Sequence, residues 1–299
     1  MKAETPALPL LFSAFRELLL EGLREDGFAL DWTSLGLKRG EKIRAKIVAK
    51  SDGVFYGAEL ARAAEAVSES IGLPFEAKSL VPDGARVKSG TKVIEFSGTA
   101  TGILALERPY LNLAGYLSGI STRARILTDR VEAEWRKKKY PGPAPRITAT
   151  RKILPHYREV AIGAVMAGGG YSHRVNLAGG VLIKENHITA AGSIRAAIAA
   201  ARKVAPHGLK IEIEITNVAE LKQAIGERAE VIMLDNFSPE AVRSAMGFVE
   251  EADYPVVIEC SGGISESTAA AYAVPGVHLL SVGGLTHSVT ALDLSLLVL

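Results

Sequence analysis

The chain of 299 residues is 48% hydrophobic and 23% charged, with a formal net charge of +2 at pH 7. This balance excludes a disordered, charge-dominated chain and leaves length enough for one large or two ordinary domains with a sizeable core. It also excludes a broad positive surface for nucleic acid or membrane, so any cationic field must be local.

The one cysteine, Cys260, cannot form an internal disulfide and suits a reducing, cytoplasmic setting. In "PALPLLFSAFRELLLEGL" the apolar run is broken by Arg16, Glu17 and Glu21. Lys2 is balanced by Glu4, so the stretch reads as an amphipathic surface helix over 10–26 and not as a leader peptide. No stretch reads as a membrane span. "KIRAKIVAK" alternates apolar and basic residues, as a half-buried strand does. "GAELARAAEAVSESIG" has helical spacing with a stop at Gly72. "VPDGARVKSGTKVIEFSGTA" predicts short strands broken at Asp83-Gly84 and Ser89-Gly90, in the manner of a lipoyl- or biotinyl-like sandwich. It offers no setting for a carrier lysine. A long helix over 106–135 then leads from a first domain to a second, and "KKKYPGPAP" reads as a solvated loop.

From Arg146 a rhythm sets in. "RITATR", "GVLIKEN", "KIEIEIT", "EVIMLDN", "PVVIECSGG" and "VHLLSVGG" are short, β-branched and apolar. "SIRAAIAAARKVA", "VAELKQAIGER" and "SPEAVRSAMGFVEEA" are helical, and Ser238-Pro239-Glu240 is a capped helix start. Strands alternating with helices of this length mean parallel βαβ units, in a barrel or a doubly wound sheet.

The strands end on charge or glycine: Arg151-Lys152, Lys184, Glu214, Asp235, Ser261-Gly262-Gly263 and Gly283-Gly284. In an α/β barrel those ends share one mouth, where active sites lie. "MAGGGYSHRVNLAGG" adds His173 and Arg174 beside glycines. Arg151, Lys152, His173, Arg174 and Lys184 suit a ligand with several negative charges. Glu214 and Asp235 suit a divalent cation or a developing positive charge. The glycine pairs offer bare N–H groups for a phosphate. Glu212 shares a face with Glu214 but lies deeper. Asp235 has a second reading as a helix cap, and His173 has one as a structural hydrogen-bonding residue. His187 and His287 read as loop braces and Cys260 as inert packing. No Cys or His spacing fits a zinc site, and no dinucleotide fingerprint is present.

In order, "ATRK", "AGGGYSHR", "GVLIKENHI", "IEIEI", "VIMLDNFSPE", "SGGI" and "SVGGLTHSV" closely resemble the quinolinate phosphoribosyltransferase family. The resemblance implies an N-terminal α+β sandwich over 1–117, with a tail over 287–299 packing back on it, and an incomplete, TIM-like α/β barrel over 118–286. It implies transfer of phosphoribosyl from phosphoribosyl pyrophosphate to quinolinate with decarboxylation, giving nicotinate mononucleotide, in NAD biosynthesis. Arg151, His173, Arg174 and Lys184 would line the acid pocket, and Lys152 would face acid and phosphates. Glu214 and Asp235 would sit by the ribose and Mg2+. Ser261, Gly262, Gly263, Gly283 and Gly284 would hold the 5′-phosphate. Arg108 would be lent by a partner, in a homodimer or dimer-based hexamer with shared sites. Ser172, Ile153, Pro155-His156 and Ala149 depart from the family pattern without removing a charge. A relative of the same fold acting on another acid, such as the molybdenum-transport-linked proteins, and a silent phosphate-binding protein remain the other readings.

Overall fold

The computed structural model describes residues 9–37 and 40–299. Lys2 and Glu4, on which the leader reading turned, lie outside the described residues. In chain order the elements begin with α1 (Pro9–Glu25), α2 (Trp32–Leu35), β1 (Lys42–Ala49), β2 (Gly53–Val54) and α3 (Ala58–Ser70). Next come β3 (Phe75–Ser79), β4 (Arg86–Val87), β5 (Lys92–Thr99), α4 (Ala100–Lys137), β6 (Arg146–Thr148) and α5 (Arg158–Ala167). Then follow β7 (Val181–Ile183), α6 (Glu185–Ala191), α7 (Ile194–Val204), β8 (Ile211–Ile215), α8 (Val218–Gly226) and β9 (Val231–Asp235). The last are α9 (Pro239–Glu250), β10 (Val257–Ser261), β11 (Leu279–Ser281), α10 (Gly284–His287) and β12 (Leu294–Val298). No helix among the described residues is long and apolar enough to cross a membrane.

The chain divides into two compact units. One takes the residues up to Arg125, Ile153–Gly169 and Leu285–Leu299; the other takes Ile126–Lys152 and Gly170–Gly284. In the first, an antiparallel sheet has the order β12-β1-β5-β3. The pairs Ala45↔Phe96 and Ile47↔Ile94 set four buried apolar side chains together, as period-two alternation requires. β2 and β4 form a separate two-stranded ribbon. The lipoyl-like expectation differs here, because helices supply the second layer. α3 buries Leu60, Ala61, Ala64 and Val67. Phe96 meets Phe75 at 5.1 Å and Tyr110 of α4 at 5.5 Å, both edge-on.

α5, a ten-residue apolar helix, was not anticipated. Ser121 Oγ donates to Ala164 O at 2.7 Å. Where α5 ends, a Cβ on Gly168 would overlap Ser121 O and Ala124 Cβ, so only glycine permits this approach. The glycine run ahead of His173 therefore begins as a packing device.

In the second unit six parallel strands have the order β6-β11-β10-β9-β8-β7. From β7 to β11 each strand lies beside its predecessor, and β11 returns to β6. This is a ring of strands left open between β6 and β7, the incomplete barrel the repeats predict. Ile211, Ile213 and Ile215 are buried on one face of β8, and Glu212 and Glu214 share the other. Amphipathic α7, α8 and α9 bury Ile194 and Ile198, Leu221 and Ala224, and Val242 and Met246. Ser193, Asn217 and Ser238 cap them by accepting from Ala196, Glu220 and Ala241 N–H groups.

Candidate active site

The strand ends carry the charges, with one offset. β6 stops at Thr148, so Arg151 and Lys152 lie three and four residues past it, both exposed. β7 ends at Ile183, and Lys184 follows directly as the N-cap of α6. Its backbone N–H donates to His187 Nδ1 at 3.0 Å, which makes His187 a brace of that turn. Glu214 is the penultimate residue of β8, Asp235 the last of β9 and Ser261 the last of β10. Gly283 and Gly284 follow β11, and α10 opens on Gly284.

His173 arrives by a route the sequence did not reveal. Tyr171 forms a one-residue parallel bridge to Thr148, with Ala149 N–H donating to Tyr171 O at 3.0 Å and Tyr171 N–H to Ile147 O at 2.8 Å. This stitch lies beside β6 at the open seam. Two residues on, His173 Nε2 lies 3.2 Å from Glu212 Oε2 and 3.4 Å from Glu259 Oε2. Burial alone would lower the imidazole pKa, but hydrogen bonding and attraction from the two acids raise it to about 10. Burial raises the Glu212 carboxyl, and Glu259 adds to this while His173 opposes it. Glu259, fully buried, was missed. Its signal was an acid inside the apolar run "PVVIEC". Cys260 next to it is buried, and burial followed by the Glu259 charge pushes its thiol up to about 12, as suits packing.

Two charge groupings result. Arg174 donates to Gly180 O at 3.3 Å, and burial and then the nearby Arg151 lower its guanidinium pKa. Arg151, His173 and Arg174, with Glu212 behind them, make a cationic corner. In the second grouping, Lys184 Nζ lies 3.0 Å from Glu214 Oε2. Burial and the Glu214 charge raise the Asp235 carboxyl, while Lys184, Lys152 and Ser261 oppose that. Asp235 accepts from Asn236 Nδ2 at 2.7 Å. The cap of α9 comes from Ser238, so Asp235 is not spent on that task.

Gly262 and Gly263 follow β10 with φ of 87° and 64°. A Cβ on Gly262 would overlap Asn236 Oδ1, so the backbone can pass here only without a side chain. In the first unit, Arg108 is exposed on α4 and lines a cleft with Asn112 and Asp293. His287 Nδ1 lies 2.6 Å from Ser288 Oγ, a local contact.

Guanidinium forks, lysines and paired acids at the C-terminal ends of parallel strands define an α/β-barrel enzyme that handles polyanions. Comparison with known proteins narrows the class. The C-terminal domain model of quinolinate phosphoribosyl transferase matches residues 128–297, and the N-terminal domain model matches residues 31–118. The chain belongs to the quinolinate phosphoribosyltransferase family. The carboxylating nicotinate-nucleotide pyrophosphorylase of Mycobacterium leprae (strain TN) is 35% identical over 288 residues, spanning 95% of this chain and 97% of that protein. The human carboxylating nicotinate-nucleotide pyrophosphorylase is 32% identical over 297 residues, spanning 99% and 95%. The solved structure of the nicotinate-nucleotide pyrophosphorylase from Francisella tularensis superposes with a TM-score of 0.86 at 31% identity, covering 98% of both chains.

Proposed function

We infer that the chain carries out the reaction for which its family is named. Phosphoribosyl passes from phosphoribosyl pyrophosphate to the ring nitrogen of quinolinate, and the product loses CO2 to give nicotinate mononucleotide and pyrophosphate. This is the phosphoribosyl-transfer step of NAD biosynthesis. The observation that carries it is the sorting of charge within one barrel: a corner of Arg151, His173 and Arg174, and beside it Lys152, Lys184, Glu214 and Asp235.

Each residue type has a task in that chemistry. Quinolinate carries two carboxylates on one ring, and arginine grips a carboxylate through a planar fork. We assign Arg151, His173, Arg174 and Lys184 to the acid, with Lys152 between the acid and the phosphates. Departure of pyrophosphate leaves positive charge on the ribose, which Glu214 and Asp235 stabilise electrostatically. Once ribosylated, the ring nitrogen is cationic and stabilises the carbanion left by CO2, so the protein need supply no nucleophile. Its contribution is orientation and fixed charge, with positioning alone worth about 7–11 kcal/mol in favourable cases. Ser261, Gly262, Gly263, Gly283 and Gly284 cradle the 5′-phosphate through hydroxyl and N–H groups.

The donor set also fits a hard divalent cation. Glu214 raises the Asp235 carboxyl, so the two acids feel one another across the mouth, and oxygen ligands of this kind suit Mg2+. Glu214 and Asp235 would hold Mg2+ together with the bound phosphates, and it would neutralise charge on pyrophosphate. Exposed Arg108 points to a shared-site homodimer, or a hexamer built from such dimers. Arg108→Ala and Lys184→Ala proteins, each inactive, then restore activity when mixed; absence of rescue means self-contained sites. Incubating the protein with quinolinate, phosphoribosyl pyrophosphate and Mg2+ tests the reaction itself. Nicotinate mononucleotide and CO2 in equal amounts are expected, and folded protein that forms neither overturns the assignment.

A further inference from the structure

Two carboxylates buried beneath one imidazole need an explanation that packing does not provide. Glu259 is fully buried and Glu212 nearly so, each inside an apolar strand. An apolar side chain at either place would avoid the desolvation cost of a buried acid. Both acids converge on the same atom, His173 Nε2, at 3.2 and 3.4 Å. Glu259 is itself held from behind: Ser281 Oγ donates to Glu259 Oε1, and Thr148 Oγ1 lies 3.4 Å from Ser281 Oγ. The line Thr148–Ser281–Glu259–His173 crosses from β6 through β11 and β10 to the segment at the open seam of the barrel. With Nε2 engaged on the buried side, Nδ1 lies outside this network.

We propose that Glu212 and Glu259 are positioning residues for substrate selection, clamping His173 by Nε2 so that its Nδ1–H is presented to a carboxylate of the pyridine acid. The proposal rests on the assignment of His173 to the acid pocket. A ring free to turn would offer that hydrogen bond only part of the time, and a clamped one has already lost that freedom. The acids touch no substrate; they act through the histidine. Ser281 supports Glu259 in the same way, one step further back.

The test is a double-mutant cycle on the full chain. Glu259→Gln keeps the side chain's shape and weakens the clamp. It is expected to raise the KM for quinolinate about tenfold, the size of one charge-assisted hydrogen bond. The KM for phosphoribosyl pyrophosphate should stay within about twofold, below the change expected from loss of one hydrogen bond. Phthalate, a dicarboxylate that cannot be ribosylated, should lose affinity by the same factor in equilibrium titrations. In a His173→Asn background Glu259→Gln should add nothing further, because its effect runs through the imidazole.

An unchanged quinolinate KM with active enzyme overturns the proposal alone. So does a loss that adds in full to that of His173→Asn, or one shared equally by both substrates. Wild-type protein that forms no nicotinate mononucleotide overturns the reaction and the proposal together. A metal ion found bound by His173, Glu212 and Glu259 in purified protein also overturns it, since the acids would then face the ion. Should Glu259→Gln fail to fold, Ser281→Ala removes only the hydroxyl behind the clamp. It must then raise the quinolinate KM selectively, and an unselective or absent change counts against the proposal.

Discussion

Lys184 Nζ stands 3.0 Å from Glu214 Oε2, tying the residue that follows β7 to the mouth end of β8. The lysine side chain is 50% exposed, so water screens the pair and it adds less than about 1 kcal/mol to stability. Lys184→Met is therefore expected to move Tm by less than about 4 °C. The same change should lower kcat/KM for quinolinate by about 100-fold or more, because a charge placed for the reaction is lost. Thermal melts beside steady-state kinetics check both numbers. A large loss of stability with little loss of rate would make the pair structural.

Asp235 and Ser238 stand three residues apart and are expected to behave oppositely. Burial and the Glu214 charge raise the Asp235 carboxyl, so the fold gains nothing from its ionisation. Asp235→Asn should leave Tm unchanged or higher while turnover falls by about 100-fold. Ser238 caps α9 through Ala241 N–H. Ser238→Ala should cost about 1 kcal/mol of stability and leave both KM values in place. Denaturant melts and kinetics on the two variants separate the roles.

The His173 ion pair carries a pH signature. A histidine in an unfolded chain titrates near 6.5, and in this fold the value is raised to about 10. Because the folded value is the higher, the stabilisation is fully present below about 6.5 and is lost as pH climbs through about 10. Wild type and His173→Asn should thus differ most in unfolding free energy near pH 6 and converge by alkaline pH. Guanidinium titrations at several pH values read the gap. A gap that stays constant with pH would mean the histidine is not held as a cation.

Gly262 and Gly263 both lie at positive φ, yet they differ in what a methyl group would meet. At Gly262 it overlaps Asn236 Oδ1, while at Gly263 nothing lies within 4 Å. Gly263→Ala should cost about 1 kcal/mol from backbone strain alone. Gly262→Ala should cost more than that and weaken phosphoribosyl pyrophosphate binding, because Asn236 must shift and it holds Asp235. Calorimetric titration with the sugar phosphate, paired with melts, distinguishes the two variants. Equal effects would remove Asn236 from the account.

Much of this was legible along the chain, because local chemistry decides it. β-branched runs such as "VIMLD" make strands wherever both faces are buried. Ser238-Pro239-Glu240 starts a helix through atoms only three residues apart. The alternation in "IEIEI" places Glu212 and Glu214 on one face of β8 whatever the surroundings. Even the sandwich expectation failed only in its second layer, where the apolar face of α3 and Tyr110 of α4 took the place of a sheet.

What the chain could not announce is set by contacts across long separations. Glu259 reads locally as an anomaly in an apolar strand. It becomes the partner of His173, 86 positions earlier in numbering, only when the ring of strands brings β10 beneath the segment after Tyr171. The end of β6 at Thr148, short of Arg151, follows from where β11 stops pairing with it. Residue type and spacing determined which groups could bear charge at a strand end, because those depend on neighbours in sequence. Only the closing of the sheet decided which acids lie buried and which face a ligand, because burial and charge pairing depend on what folds over them.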